Sequence, residues 1–174
     1  FGDSRFHVYR GDSRRTLPAF VAQRNATRHE LPRASVGRAE ALCDIMLVDG
    51  DCFYDEDIVA QYRSISKRSN GVFFFVDTQP KPIYSYIVFD PAAKRITQVK
   101  EKVKISDHAN TGCYCFSNGS ELMSQCQALL DAGATQTGNL ATHTVGEYYT
   151  SGVIAAMISD GATFTALQID PSRM

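Results

Sequence analysis

No apolar run in this chain approaches the roughly 18 residues that a membrane-spanning helix needs, and no signal-type apolar segment opens it. The sequence therefore predicts no membrane association and a cytoplasmic location. Charge of one sign is also lacking. The formal net charge is −1, too small to draw in nucleic acid or anionic lipid. Arginines do gather near the amino end, from Arg5 to Arg38, and read as a solvated segment. The five cysteines form no C-x-x-C pair, and His7, His29, His108 and His143 stand apart from them, which argues against zinc. An odd cysteine count without a framework reads as reduced thiols. There is no internal repeat and no linker, so the 174 residues are read as one domain, 1–174.

What is present is organised from Ile45 onward; residues 1–34 read poorly apart from "RFHVY", a candidate short strand. "IMLV" and "GVFFFVD" are short continuous apolar runs of the kind found in buried strands. A helix is expected from Glu56 to Lys67, with Ile58, Val59, Tyr62 and Ile65 on one face. "PIYSYIVFDPAAKRITQVKEKVK" reads as a hairpin around "DPAAK", with Tyr84, Tyr86 and Val88 on the opposite face from Ile83, Ser85 and Ile87. "TGCYCF" adds a strand preceded by an "NTG" turn. Then comes a helix through "SNGSELMSQCQALLDAG", with Ser120 as its cap and Leu122, Cys126, Leu129 and Leu130 inward. A helix through "EYYTSGVIAAMISDG" and a strand "TFTALQI" close the chain. Alternation of strands and helices predicts a three-layer α/β/α sandwich, with a Rossmann-like, mixed but mostly parallel sheet and an inserted β-hairpin.

"DIMLVDGDCFYDEDI" carries the chemistry. Strand-borne acids two residues apart share a face, so Asp49 and Asp51 would turn toward one ion, and hard oxygens suit Mg²⁺. Acids are common where a strand runs into a loop, so on its own "DGD" reads more simply as a solvated turn than as a metal site. Asp55, Glu56 and Asp57 fit the first turn of the next helix, where the dipole favours acids. The lysines of "KEKVK" either protect an edge strand or hold a phosphate. Tyr148, Tyr149 and the "YSY" strand are read as core in preference to pocket lining.

Taken together, "SVGRAEAL", "IMLVDGD", "KEKVK", "ANTGCYCF" and "GEYYTSGVIAAMISDG" resemble the nucleotidyltransferase family of sugar-nucleotide pyrophosphorylases, over roughly residues 31–170. The resemblance implies an Mg²⁺-dependent enzyme that joins a nucleoside triphosphate to a sugar 1-phosphate, or a similar small phosphate, and releases pyrophosphate. It implies that Gly37, with Ala39 beside it, approaches the nucleotide base and that Asp51 binds magnesium, with Asp49 added by the shared strand face. It further implies that Glu101 and Lys102 hold the sugar hydroxyls and phosphate, and that Asn110 and Thr111 contact the sugar. Where relatives place a second metal-binding aspartate the chain has Gly152, with Glu147 and Ser151 nearby. The family's glycine-rich triphosphate loop is not recognisable, nor is a helix between "AEAL" and the acidic strand. Two expectations follow: a chain incomplete at its amino end, or a shortened relative that binds nucleotide or sugar phosphate without turnover. A glycosyltransferase using an Asp-x-Asp site and a nucleotide-sugar donor is the third reading.

Overall fold

The computed structural model describes residues 7–11, 44–50, 52–65, 69–134 and 148–174. Among them are seven strands: β1 (His7–Gly11), β2 (Ile45–Asp49), β3 (Asn70–Val76), β4 (Ser85–Asp90), β5 (Arg95–Glu101), β6 (His108–Phe116) and β7 (Phe164–Gln168). Three helices accompany them: α1 (Ile58–Ser64), α2 (Gly119–Asp131) and α3 (Thr150–Ser159).

The strands do not form the open, mostly parallel sheet of a three-layer sandwich. They run in the order β1-β2-β6-β3-β7-β5-β4, and β4 pairs again with β6. Five of them, β6-β3-β7-β5-β4, thus close on themselves as a small mixed barrel, from which β2 and β1 extend. Only β1–β2 and β3–β7 are parallel; the other pairings are antiparallel. The hairpin is what closes the ring, since Tyr86 of β4 pairs with Ala109 of β6 while Arg95 of β5 pairs with Thr165 of β7. Register shifts at Val72/Phe74 and Val88/Phe89 supply local curl. The period of a strand is the same in an open and a closed sheet, so apolar patterning carried no information about closure.

Two clusters hold the barrel. Val72, Phe74, Ile87, Ile96, Phe116 and Phe164 pack with Leu122 and Cys126 of α2 and with Val153, Ile154 and Met157 of α3. Met46, Phe73, Cys113, Cys115 and Ile169 pack with Tyr62 of α1, flanked by Ile58, Val59 and Ile65 as the sequence predicts. Because β4 is enclosed in the ring, Ser85, Tyr86 and Ile87 are all buried, and the expected alternation of faces is absent.

Helix boundaries follow cap chemistry. α1 begins at Ile58, where the Asp57 carboxylate accepts from the Ala60 N–H at 2.8 Å. Asp55 and Glu56 precede it, and Glu56 meets the Gln61 amide and Arg173 instead. α2 is capped by Asn118, not Ser120: Asn118 Oδ1 accepts from the N–H groups of Ser120 and Glu121 at 3.0 and 3.2 Å. Gly133, at φ +60°, ends it. The described cysteines Cys52, Cys113, Cys115 and Cys126 are free thiols. No helix among the described residues is long and apolar enough to cross a membrane.

A polar contact braces the barrel wall. Asp77, 2% exposed, accepts from the hydroxyl of fully buried Tyr86 at 2.7 Å and from the Gln79 N–H at 2.9 Å. The Tyr86 bond, then the Gln79 bond, holds the Asp77 carboxyl below its ordinary range. Burial first, then Asp77, pushes Tyr86 up to about 12. The depressed carboxyl contributes stability present above about pH 4 and lost as pH falls through the folded-state value. The raised phenol contributes stability present below about pH 10 and lost as pH rises toward about 12. Tyr86→Phe leaves a buried carboxylate oxygen short of its donor, and a loss of about 1.5–3 kcal/mol at pH 7 is expected. Denaturant midpoints between pH 3 and 7 check this: the difference between wild type and variant should shrink as Asp77 becomes protonated, and a pH-independent difference would assign it to packing.

Candidate functional site

The ends of four strands and the start of α3 surround a cavity of about 610 Å³. Asp49 at the end of β2, Glu101 and Lys102 at the end of β5, and Asn110, Thr111 and Gly112 within β6 all border it. The sequence had scattered these residues over three motifs, and the chain brings them to one place. Asp51, Gly37, Ala39 and Glu147 lie outside the described residues. β2 ends at Asp49, and the N–H of Cys52 closes a turn back onto the Asp49 carbonyl at 3.3 Å, so the shared-strand-face argument stops at Asp49.

"NTG" is not a turn before a strand but part of β6 itself. On β3 the register steps two residues, from Val72 to Phe74, while β6 steps four, from Tyr114 to Asn110. Surplus residues of this kind make a bulge, and an interior strand glycine often marks one. Thr111 stitches it together. Its hydroxyl donates to the Phe73 carbonyl at 3.2 Å and accepts from the Cys113 N–H at 3.3 Å. The Tyr54 hydroxyl lies 3.0 Å from that same oxygen and 2.9 Å from the Thr111 carbonyl, onto which the Cys52 thiol also donates at 3.1 Å.

On the cavity side, the bulge leaves Asn110 buried at 4% exposure. Its Nδ2 donates to Ser85 Oγ at 2.6 Å, and its Oδ1 has no hydrogen-bond partner among the described residues. A buried amide oxygen without a donor costs about 1–3 kcal/mol. Such an atom at the wall of a polar cavity suits a hydroxyl or amine brought by a ligand. Ser85 also bonds Tyr114, which burial, and behind it the charges of Asp49 and Glu101, push well above the ordinary phenol range. Both carboxylates therefore act on one hydroxyl at the cavity floor.

Cation and anion stand side by side at the end of β5. Glu101 Oε2 accepts from Ser151 Oγ at 2.7 Å. Lys102 Nζ donates to the Tyr149 hydroxyl at 2.8 Å and lies 4.7 Å from that ring's centroid. Lys102 also has φ +51°, in the left-handed region that costs a non-glycine residue about 1 kcal/mol, while its N–H bonds the Tyr84 carbonyl at 2.9 Å. Backbone strain of this kind gathers at functional sites. Ser85, Tyr114 and Tyr149 escaped attention as polar members of the site. A lone hydroxyl in the bulky run "YSYIVF" was the signal for Ser85, and Tyr149 had been read as core.

No group of three or more His, Cys, Asp or Glu side chains that could hold a metal ion occurs among the described residues. Asp49 and Glu101 are the carboxylates on the cavity wall, and Mg²⁺ commonly takes only one or two carboxylates. Clustered negative charge from Asp49 and Glu101 is of the sign that a divalent cation offsets.

Neither a protein-family model nor a curated protein sequence matches the chain. Its fold does match solved structures. A nucleoside-diphosphate-sugar pyrophosphorylase from Vibrio cholerae RC9 superposes with a TM-score of 0.53 at 17% identity, over 75% of this chain and 50% of that one. The inositol-1-phosphate CTP transferase from T. maritima gives 0.51 at 10% identity, over 88% and 51%. A protein assigned as a glucose-1-phosphate thymidylyltransferase from Bacillus anthracis, in complex with a sucrose, gives 0.50 at 18% identity, over 72% and 46%. The chain spans about half the length of these proteins. At such identities the likeness establishes the fold.

Proposed function

We propose that this chain, which has the fold of the sugar-phosphate nucleotidyltransferases, joins a nucleoside triphosphate to a sugar 1-phosphate or a similar small phosphate with release of pyrophosphate. The observation that supports the reading most is the convergence of Glu101, Lys102 and buried, half-satisfied Asn110 on one cavity. Glu101 and the Asn110 amide oxygen offer acceptors to ligand hydroxyls, and Lys102 supplies a point charge for a phosphate. An acceptor phosphate is already anionic, so the transfer needs no general base from the protein. Positioning and charge neutralisation carry it.

Asp49, together with Asp51, would hold Mg²⁺ there. The ion would neutralise charge on the triphosphate, a task the cavity's own carboxylates oppose. Tyr114 and Ser85 keep the Asn110 amide from swinging away, and the Thr111 bonds fix the bulge that presents it. Each of these groups is set before a ligand arrives.

The test is pyrophosphate release by the purified protein over a panel of nucleoside triphosphates and 1-phosphates, with Mg²⁺ and then with a chelator. Turnover by one pair, abolished by chelation and restored by Mg²⁺, is the expected result. A folded protein that binds members of the panel but releases no pyrophosphate would replace this reading with a binding one. Release of a nucleoside diphosphate would indicate glycosyl transfer instead.

A further inference from the structure

The pair Glu101–Lys102 is gripped twice by the start of α3. Ser151 Oγ donates to Glu101 Oε2 at 2.7 Å, and the Tyr149 hydroxyl accepts from Lys102 Nζ at 2.8 Å with its ring beneath the ammonium. Residues two apart on one element thus hold adjacent residues of another. Tyr149 stands at the N-cap of α3 and makes no side-chain capping bond; serine, a favoured cap, lies two residues further on and reaches across to Glu101 instead. Two polar side chains at the start of this ten-residue helix are thus committed to a neighbouring strand end.

We propose that Ser151 and Tyr149 are positioning residues, which set the Glu101 carboxylate and the Lys102 ammonium for the acceptor phosphate before it binds. The inference rests on the function proposed above, and it adds two cavity-lining residues that act through Glu101 and Lys102. The reason is preorganisation: glutamate and lysine lose much rotamer freedom when a ligand orders them, and a partner that orders them beforehand removes that loss from binding. Lys102's left-handed backbone acts in the same sense, because it fixes the direction in which the side chain leaves the strand.

The experiment measures steady-state constants and calorimetric binding of the acceptor phosphate for wild type, Ser151→Ala, Ser151→Thr and Tyr149→Phe. Ser151→Ala should raise KM and Kd for the acceptor about tenfold to a hundredfold, the range for a hydrogen bond to a charged group, with kcat within about twofold. KM for the nucleoside triphosphate should stay within about twofold. Ser151→Thr, which keeps the hydroxyl, should recover most of the loss. Tyr149→Phe keeps the ring under Lys102, so its effect should be smaller, about threefold to tenfold. If Ser151→Ala fails to fold, Tyr149→Phe decides by the same KM-against-kcat comparison. Acceptor binding unchanged in the folded variants of an active protein overturns the positioning role alone. A wild type that neither binds nor transfers to any acceptor overturns the proposed function, and this role with it.

Discussion

Lys102→Met is expected to reduce pyrophosphate release about 10²- to 10³-fold, the usual cost of removing one charge-stabilising donor from a reacting site. Methionine keeps length and apolar stem but has no charge and no donor. Stability should hardly change, which makes the variant informative. The bond to Tyr149 and the ring contact are worth on the order of 1 kcal/mol at a partly buried site. Lys102→Gly makes the point from the other side. It relieves a left-handed backbone that costs about 1 kcal/mol, and that relief roughly offsets the lost contact with Tyr149. Both variants should therefore melt close to wild type while losing activity together. A parallel fall of melting temperature and activity would recast Lys102 as a structural residue, held by Tyr149 for the sake of the barrel.

The legible part of the molecule was local. The apolar runs "IMLV" and "GVFFFV" mark β2 and β3 because buried strands need no alternation, and Tyr62 with Ile58, Val59 and Ile65 marks the inward face of α1 because the helical period is strong there. "DPAAK" marks the hairpin turn, where Asp90 Oδ1 accepts from the N–H of Ala92 at 2.8 Å. Closure was not legible. It depends on single pairings, Tyr86 with Ala109 and Arg95 with Thr165, between residues far apart in sequence whose identities ask only to be buried or extended. The helix cap went to Asn118 over Ser120 because both are good caps two residues apart, and sequence alone ranks them nearly equal.

The site divides in the same way. Glu101, Lys102, Asn110 and Thr111 were named by motif resemblance, and their meeting at one cavity was not deducible from propensity. Their partners Ser85 and Tyr149 were hidden by ordinary surroundings, and Ser151 stood out only as a polar neighbour of Gly152. A serine in a strand and a tyrosine before a helix each have a bland explanation until the fold shows what faces them. Closure and these contacts share one cause. The hairpin that seals the barrel against β6 and β7 is also what brings the end of β5, with Glu101 and Lys102, to the bulge of β6.

That bulge yields the largest structural prediction. Gly112→Ala should destabilise the protein by about 2–5 kcal/mol, from two separate costs. At φ +83° an alanine takes a left-handed penalty of about 1–2 kcal/mol. Its Cβ would also overlap the Asp49 carboxylate, coming within 2.8 Å of Cγ and 3.0 Å of Cβ, and such overpacking costs about 1–3 kcal/mol. The overlap falls on a cavity residue, so relaxation must move either β6 or Asp49. Moving β6 would disturb the Thr111 bonds that stitch the bulge and the Asn110 amide beside it. Moving Asp49 would displace the carboxylate proposed to meet magnesium. Denaturant unfolding measures the sum, and the double variant Gly112→Ala with Asp49→Ala separates the parts. Deleting the carboxylate removes the closest overlaps and leaves the backbone cost and the tight 3.0 Å approach to the Cβ of residue 49, so the double variant should be about 1–2 kcal/mol more stable than Gly112→Ala alone. If the two substitutions simply add, the glycine is required by its backbone angle and not by the acid beside it. In that case the third residue of "NTG" serves the bulge, and its closeness to Asp49 follows from where β2 happens to end.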